Sequence, residues 1–225
     1  MNRLQAELNR LYLLPEGLVD ATGQVRALVM ELAGPADWEP LGQVWRGVQL
    51  DLALPAPAIA VSGTDALQLW FSLQQPVAAS RAADFLAGLK SRYLAGLVPA
   101  TRLRLNPPTA AALVPAEQAG TGNWSAFVAA DLAPVFADTP WLDIPPGNDG
   151  QADLLARLES IKPAAFDAAL RQLQPPGSAV APVAQPSGRD VDPKAFLQSV
   201  LNDETVALEL RVAAARALLR ARQYG

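Results

Sequence analysis

The sequence predicts an α+β fold: a split βαβ, mostly antiparallel sheet with helices on one face, followed by a Pro-rich linker and a helical hairpin. Three observations carry this. Apolar residues recur at helical spacing in some segments and alternate or run together in others. Along the chain these segments follow the order β-α-β-β-α-β, that of a split βαβ sheet. The stretch from Gln174 to Asp192, QPPGSAVAPVAQPSGRDVD, is too rich in Pro, Gly, Ser and Ala to pack as an element.

Each element has its own signature. Leu4, Leu8, Leu11 and Tyr12 form one helical stripe over roughly 2–14. Val25 to Leu32 (VRALVMEL) reads as a buried strand. Trp38, Leu41, Trp45, Val48 and Leu52 fall at helical spacing, with Asp37 as N-cap and Pro40 tolerated in the first turn. Ala58 to Ser62 and Leu67 to Leu73 are two strands joined by a tight turn at Gly63. Phe85, Leu86, Leu89 and Tyr93 mark a helix from near Ser80. Thr101 to Leu105 (TRLRL) alternates as a half-buried strand, and Trp124 to Ala130 follows as another after a Gly-rich turn. Residues 131–150 are rich in Pro and Asp and read as surface wrapping. Short helices near 151–161 and 163–173 complete the body, Pro163 suiting a first helical position.

The expected organisation is a body over 1–173, a linker over 174–192 and a hairpin tail over 193–225. In the tail, Asp192-Pro193 starts one helix and Asn202-Asp203-Glu204 breaks it and caps a second. The second helix has two apolar stripes, one of them Leu208, Val212, Ala215 and Leu219. A helix apolar on two sides needs more than one neighbour. That stripe is therefore the candidate surface for a protein partner or a second copy.

Composition excludes many chemistries. The chain has no Cys and no His. Thiol nucleophiles, imidazole bases, Ser-His-Asp triads and His- or thiolate-bound zinc are ruled out. The body carries 12 basic against 17 acidic residues, a balance of −5, which argues against non-specific nucleic-acid binding by its whole surface. No apolar run is long enough to cross a bilayer, and Met1 to Glu7 lacks the apolar core of a signal peptide, so the expected location is cytoplasmic with no membrane association.

The segment Ser62-Gly63-Thr64-Asp65-Ala66-Leu67-Gln68-Leu69-Trp70 resembles the second motif of archaeo-eukaryotic primase-polymerases, in which a Ser-Gly turn leads into a strand carrying a phosphate-contacting His. Gln68 stands at that His position. The family's first motif is a strand ending in two carboxylates, two residues apart, that hold divalent metals. The corresponding strand here offers Glu31 and then Ala33. The resemblance spans about residues 25–105 and implies a degenerate primase-like sheet, a non-catalytic nucleotide- or nucleic-acid-associated module. Mg or Mn enters only if the resemblance is functional, with Glu31 as its candidate ligand. The tail is similar to short helical segments of phage small-terminase-like proteins, through Asn202, Asp203, Leu210, Arg211, Ala213 and Ala214.

Strand periodicity places Val25, Ala27, Val29 and Glu31 on one face. Gln68, Trp70, Arg102 and Arg104 lie opposite the leucines of their strands, on a face expected to be open. Ser62, Gln68, Trp70, Arg102 and Arg104 are thus the candidate ligand-binding residues. An exposed Trp beside two Arg would stack a base and pair with phosphate. The competing reading packs Trp70 under a loop and pairs the arginines with carboxylates such as Asp131 or Asp138.

Overall fold

The computed structural model describes residues 2–35, 37–106 and 113–174. The chain divides into two units, Met1–Ser178 and Ala179–Gly225. Residues 175–192 of the linker and the tail with its Leu208, Val212, Ala215 and Leu219 stripe lie outside the described residues.

The described part is an α+β fold. Its helices are α1 (Arg3–Leu11), α2 (Trp38–Leu50), α3 (Ala79–Leu89), α4 (Asn148–Ala156) and α5 (Pro163–Leu173). Its strands are β1 (Gln24–Ala33), β2 (Ala58–Val61), β3 (Ala66–Ala78), β4 (Leu103–Asn106) and β5 (Ala126–Val128). They form one sheet in the order β4-β1-β3-β2-β5, with every pairing antiparallel. The run from β1 to β4 is the split βαβ order, and β5 is added outside β2.

Local chemistry sets the boundaries. Asn2 caps α1 by accepting from the Gln5 backbone N–H at 2.8 Å. Asp37 caps α2 through Glu39 N–H at 3.0 Å. Pro163 opens α5, where its missing N–H costs nothing. Helix α3 runs on into a π-helical turn, Lys90–Leu94. Tyr93 of that turn packs so close to Gly47 that a Cβ there would lie 2.4 Å from its ring. Strand β4 starts two residues later than the TRLRL alternation predicts, because Ala100–Arg102 winds into a 3-10 turn.

The expectation that helices cover one face of the sheet is corrected. One face carries Leu28, Met30, Leu32, Ile59, Val61, Leu67, Leu69 and Phe71, in a core with residues of α2, α3 and α5. The other face carries Ala27, Val29, Ala58, Ala60 and Trp70, in a second core with Leu4, Leu8, Leu11 and Tyr12 and with Ala152 and Leu155 of α4. Its alanines leave room for large side chains, one of them, Tyr12, from outside the sheet. Tyr12, Trp70 and Phe127 fill that room as an aromatic cluster, with ring centroids 5.4 to 6.0 Å apart. Arg10 donates to the carbonyls of Leu155 and Leu158, tying α1 to the end of α4, while Arg3 pairs with Asp153.

Val25 also departs from its predicted face. It joins the first core, not the face of Ala27 and Val29, because the register with β3 shifts between Val25 and Ala27. Arg26 sits at the shift and donates to the carbonyl of Leu73 at 2.9 Å. Its partial burial lowers its guanidinium pKa below the ordinary value, with Arg10 adding to the effect. Among the described residues no helix is long and apolar enough to cross a membrane.

Trp70 is the largest fully buried side chain and the centre of the second core. Trp70→Ala is expected to lower stability by about 3–5 kcal/mol, read from urea unfolding. A loss under about 1 kcal/mol would show that the second face is not a packed core.

Candidate functional site

Strands β1, β3 and β4 bring three predicted residues together. Glu31, near the end of β1, is paired in register with Gln68 on β3 and with Arg104 on β4. All three side chains meet. Gln68 Nε2 donates to Glu31 Oε2 at 2.6 Å, and Arg104 Nη1 donates to Glu31 Oε1 at 2.7 Å. The Trp70 indole N–H donates to Gln68 Oε1 at 2.8 Å. Since the indole is only a donor, it fixes the Gln68 amide with its NH₂ toward Glu31. The result is a directed chain from Trp70 through Gln68 to Glu31, closed from the other side by Arg104.

Exposure falls steeply along this chain. The Arg104 side chain is 48% exposed, that of Glu31 only 10%. Asp65, in the hairpin turn, lies 3.5 Å from the same Arg104 nitrogen. The hydrogen bond to Glu31 raises the Arg104 guanidinium pKa above its usual value, with both carboxylates adding to the effect and partial burial opposing it. Arg104 therefore stays charged. Its carboxylate partners are Glu31 and Asp65, not the Asp131 or Asp138 that the sequence offered.

The other candidates go elsewhere. Trp70 is buried and presents no ring face to solvent, which corrects its placement on an open surface. Arg102 lies in the 3-10 turn, off the strand that carries Arg104. Its Nε donates to the carbonyl of Ala33 at 3.0 Å and its Nη2 to that of Pro35, so it ties down the end of β1. Ser62 closes the hairpin turn, its Oγ accepting from the backbone N–H groups of Thr64 and Ala66 at 3.1 and 2.9 Å. Gly63 is required there. Its φ is +82°, and a Cβ would come within 2.8 Å of the Ser125 backbone nitrogen.

The divalent metals implied by the primase resemblance are not matched by the residues present. Both Glu31 oxygens are hydrogen-bonded within the protein, and the second carboxylate position is Ala33, buried and paired with Ala66. Mg²⁺ or Mn²⁺ needs several oxygen ligands close together. Among the described residues no group of three or more His, Cys, Asp or Glu is placed to hold a metal ion.

Sequence reasoning missed two polar contacts of consequence. Asp65 reads as a plain turn residue, and only the β3–β1–β4 order brings it near Arg104. Gln151, in α4, is buried and bonds both backbone groups of Phe127. Its signal is faint: one amide beside Ala152 and Leu155 on a helix. No family model matches the chain, and no curated protein matches it.

The cluster is asymmetric, and its variants should differ accordingly. Arg104→Met leaves a nearly buried carboxylate with Gln68 alone and is expected to cost about 1–3 kcal/mol. Glu31→Gln leaves a half-exposed guanidinium in contact with water and is expected to cost under about 1 kcal/mol. Urea denaturation of both variants checks this, and the reverse order would contradict it.

Proposed function

We propose that the body is a non-catalytic nucleotide- or nucleic-acid-associated module built on a primase-like sheet, with Arg104 as its phosphate-facing group. The observation that carries this reading is the pairing of Glu31 with a half-exposed arginine. In the family that the sequence resembles, the corresponding carboxylates hold divalent cations. Here the cation beside Glu31 is a guanidinium, which binds oxyanions but does not activate a nucleophile or act as a Lewis acid. Of the five candidate ligand residues, Arg104 is the one whose cation remains half-exposed on the β1–β3–β4 cluster; Ser62 and Gln68 are committed to internal bonds, Trp70 is buried, and Arg102 is bound to the end of β1.

Glu31 and Asp65 together outweigh the single charge of Arg104. Binding on this reading comes from short-range hydrogen bonds, not from a long-range field. With one phosphate neutralised, affinity for a single strand falls with salt along a log–log slope of about −0.7. A cytoplasmic location accompanies the reading, since nucleotide and nucleic acid are found there.

Titration of a fluorescent single-stranded oligonucleotide with the full chain is the test. Weak binding with that slope, lost in Arg104→Ala, is expected, together with no nucleotide incorporation in Mg²⁺ or Mn²⁺. Absence of binding at low salt would overturn the association. Metal-dependent incorporation abolished by Glu31→Gln would replace it with an active nucleotidyltransferase.

A second reading rests on the two-striped tail helix: an interaction or self-association function through residues 193–225. Val212→Glu and Leu219→Glu in the full chain place charge on one stripe. The expected outcome is a smaller assembly by light scattering than the unmutated chain forms. Identical masses across a hundredfold range of concentration would count against self-association.

A further inference from the structure

We propose that the Gln151 side chain acts as a surrogate sixth strand, closing the β5 edge of the sheet against pairing with another chain. Strand β5 has three residues and pairs with β2 through Ala126, Phe127 and Val128. In an antiparallel ladder, alternate residues turn their N–H and C=O toward the neighbouring strand and away from it. Phe127 is the residue that turns away. Its N–H donates to Gln151 Oε1 at 2.7 Å, and its carbonyl accepts from Gln151 Nε2 at 2.9 Å. One side-chain amide thus repeats the donor and acceptor of a peptide unit. Only Asn and Gln carry both groups, and Asn is one methylene shorter.

The clamp is held rigidly. Gln151 is buried, and the next residues along α4, Ala152 and Leu155, belong to the second core with Phe127. Arg10 fixes the far end of α4 through the carbonyls of Leu155 and Leu158. A three-residue edge strand offers one outward peptide pair, and here both of its groups are taken. An edge with its groups unpaired is a template for intermolecular strand addition. The amide removes that template without a further strand or loop.

Amide hydrogen exchange and light scattering on the full chain test this with Gln151→Met, which keeps the volume but neither hydrogen bond. In the unmutated protein the Phe127 amide should be protected like the amides of β2. In Gln151→Met it should exchange about tenfold faster, the factor set by one lost hydrogen bond, while Leu155 keeps its protection. The Met variant should also form larger species than the unmutated chain as concentration rises. A Phe127 amide that exchanges at the rate of a loop in the unmutated protein overturns the proposal. So does a Met variant that is folded and matches the unmutated chain in mass at every concentration.

Discussion

The structure depends on the β1–β3 pair being buried from both sides. These strands pair at nine positions and form the centre of a five-stranded sheet. Burial on one face comes from large aliphatic residues meeting α2, α3 and α5. On the other face the sheet supplies three alanines and Val29 beside Trp70 and Phe127, and further bulk comes from Tyr12, Leu8 and Leu11 outside it. Apolar area is removed from water on two sides of the same backbone, so the central ladder is shielded from competing water. Everything else, including the candidate site, is positioned by this pair.

That constraint explains the character of the Glu31 cluster. A carboxylate near the end of a doubly covered strand has little access to water and needs internal partners. Gln68 and Arg104 stand across from it on the two neighbouring strands, and Trp70 orients Gln68 from within the core. Both oxygens of Glu31 are thereby satisfied. The same arrangement that makes Glu31 tolerable makes it a poor metal ligand, and it leaves Arg104 as the outward-facing member. Core packing and the chemistry of the site are linked through the Trp70 indole N–H.

Much of this was legible in the residues. The helical stripe of Leu4, Leu8 and Leu11, the Asp37 cap, the Pro163 start and the alternation in β3 are local signals, and each appears in the fold. Strand parity sets Gln68 and Arg104 on one face, and the β4-β1-β3 order brings Glu31 between them. The environment of Trp70 was not legible. Parity places Trp70 opposite the leucines, but an aromatic residue there is equally compatible with an exposed platform and with a second core. Deciding between them required knowing where α1 packs, and α1 is joined to the sheet by contacts remote in sequence, such as Ser72 Oγ donating to the carbonyl of Leu11. Arg102 was misplaced for a related reason: a 3-10 turn before β4 broke an alternation that looked continuous.

The sequence by itself determined the elements, their order and the absence of imidazole and thiol chemistry. These follow from periodicity, capping and residue inventory, which are local or compositional properties. Tertiary structure alone decided which faces of the sheet are covered, which carboxylates meet Arg104 and how the β5 edge is closed. Those outcomes depend on pairs such as Glu31 with Arg104 and Phe127 with Gln151, tens of residues apart, whose meeting is set by how the sheet is ordered and where helices dock. A local pattern shows that a helix has an apolar side, but not the surface that side will find.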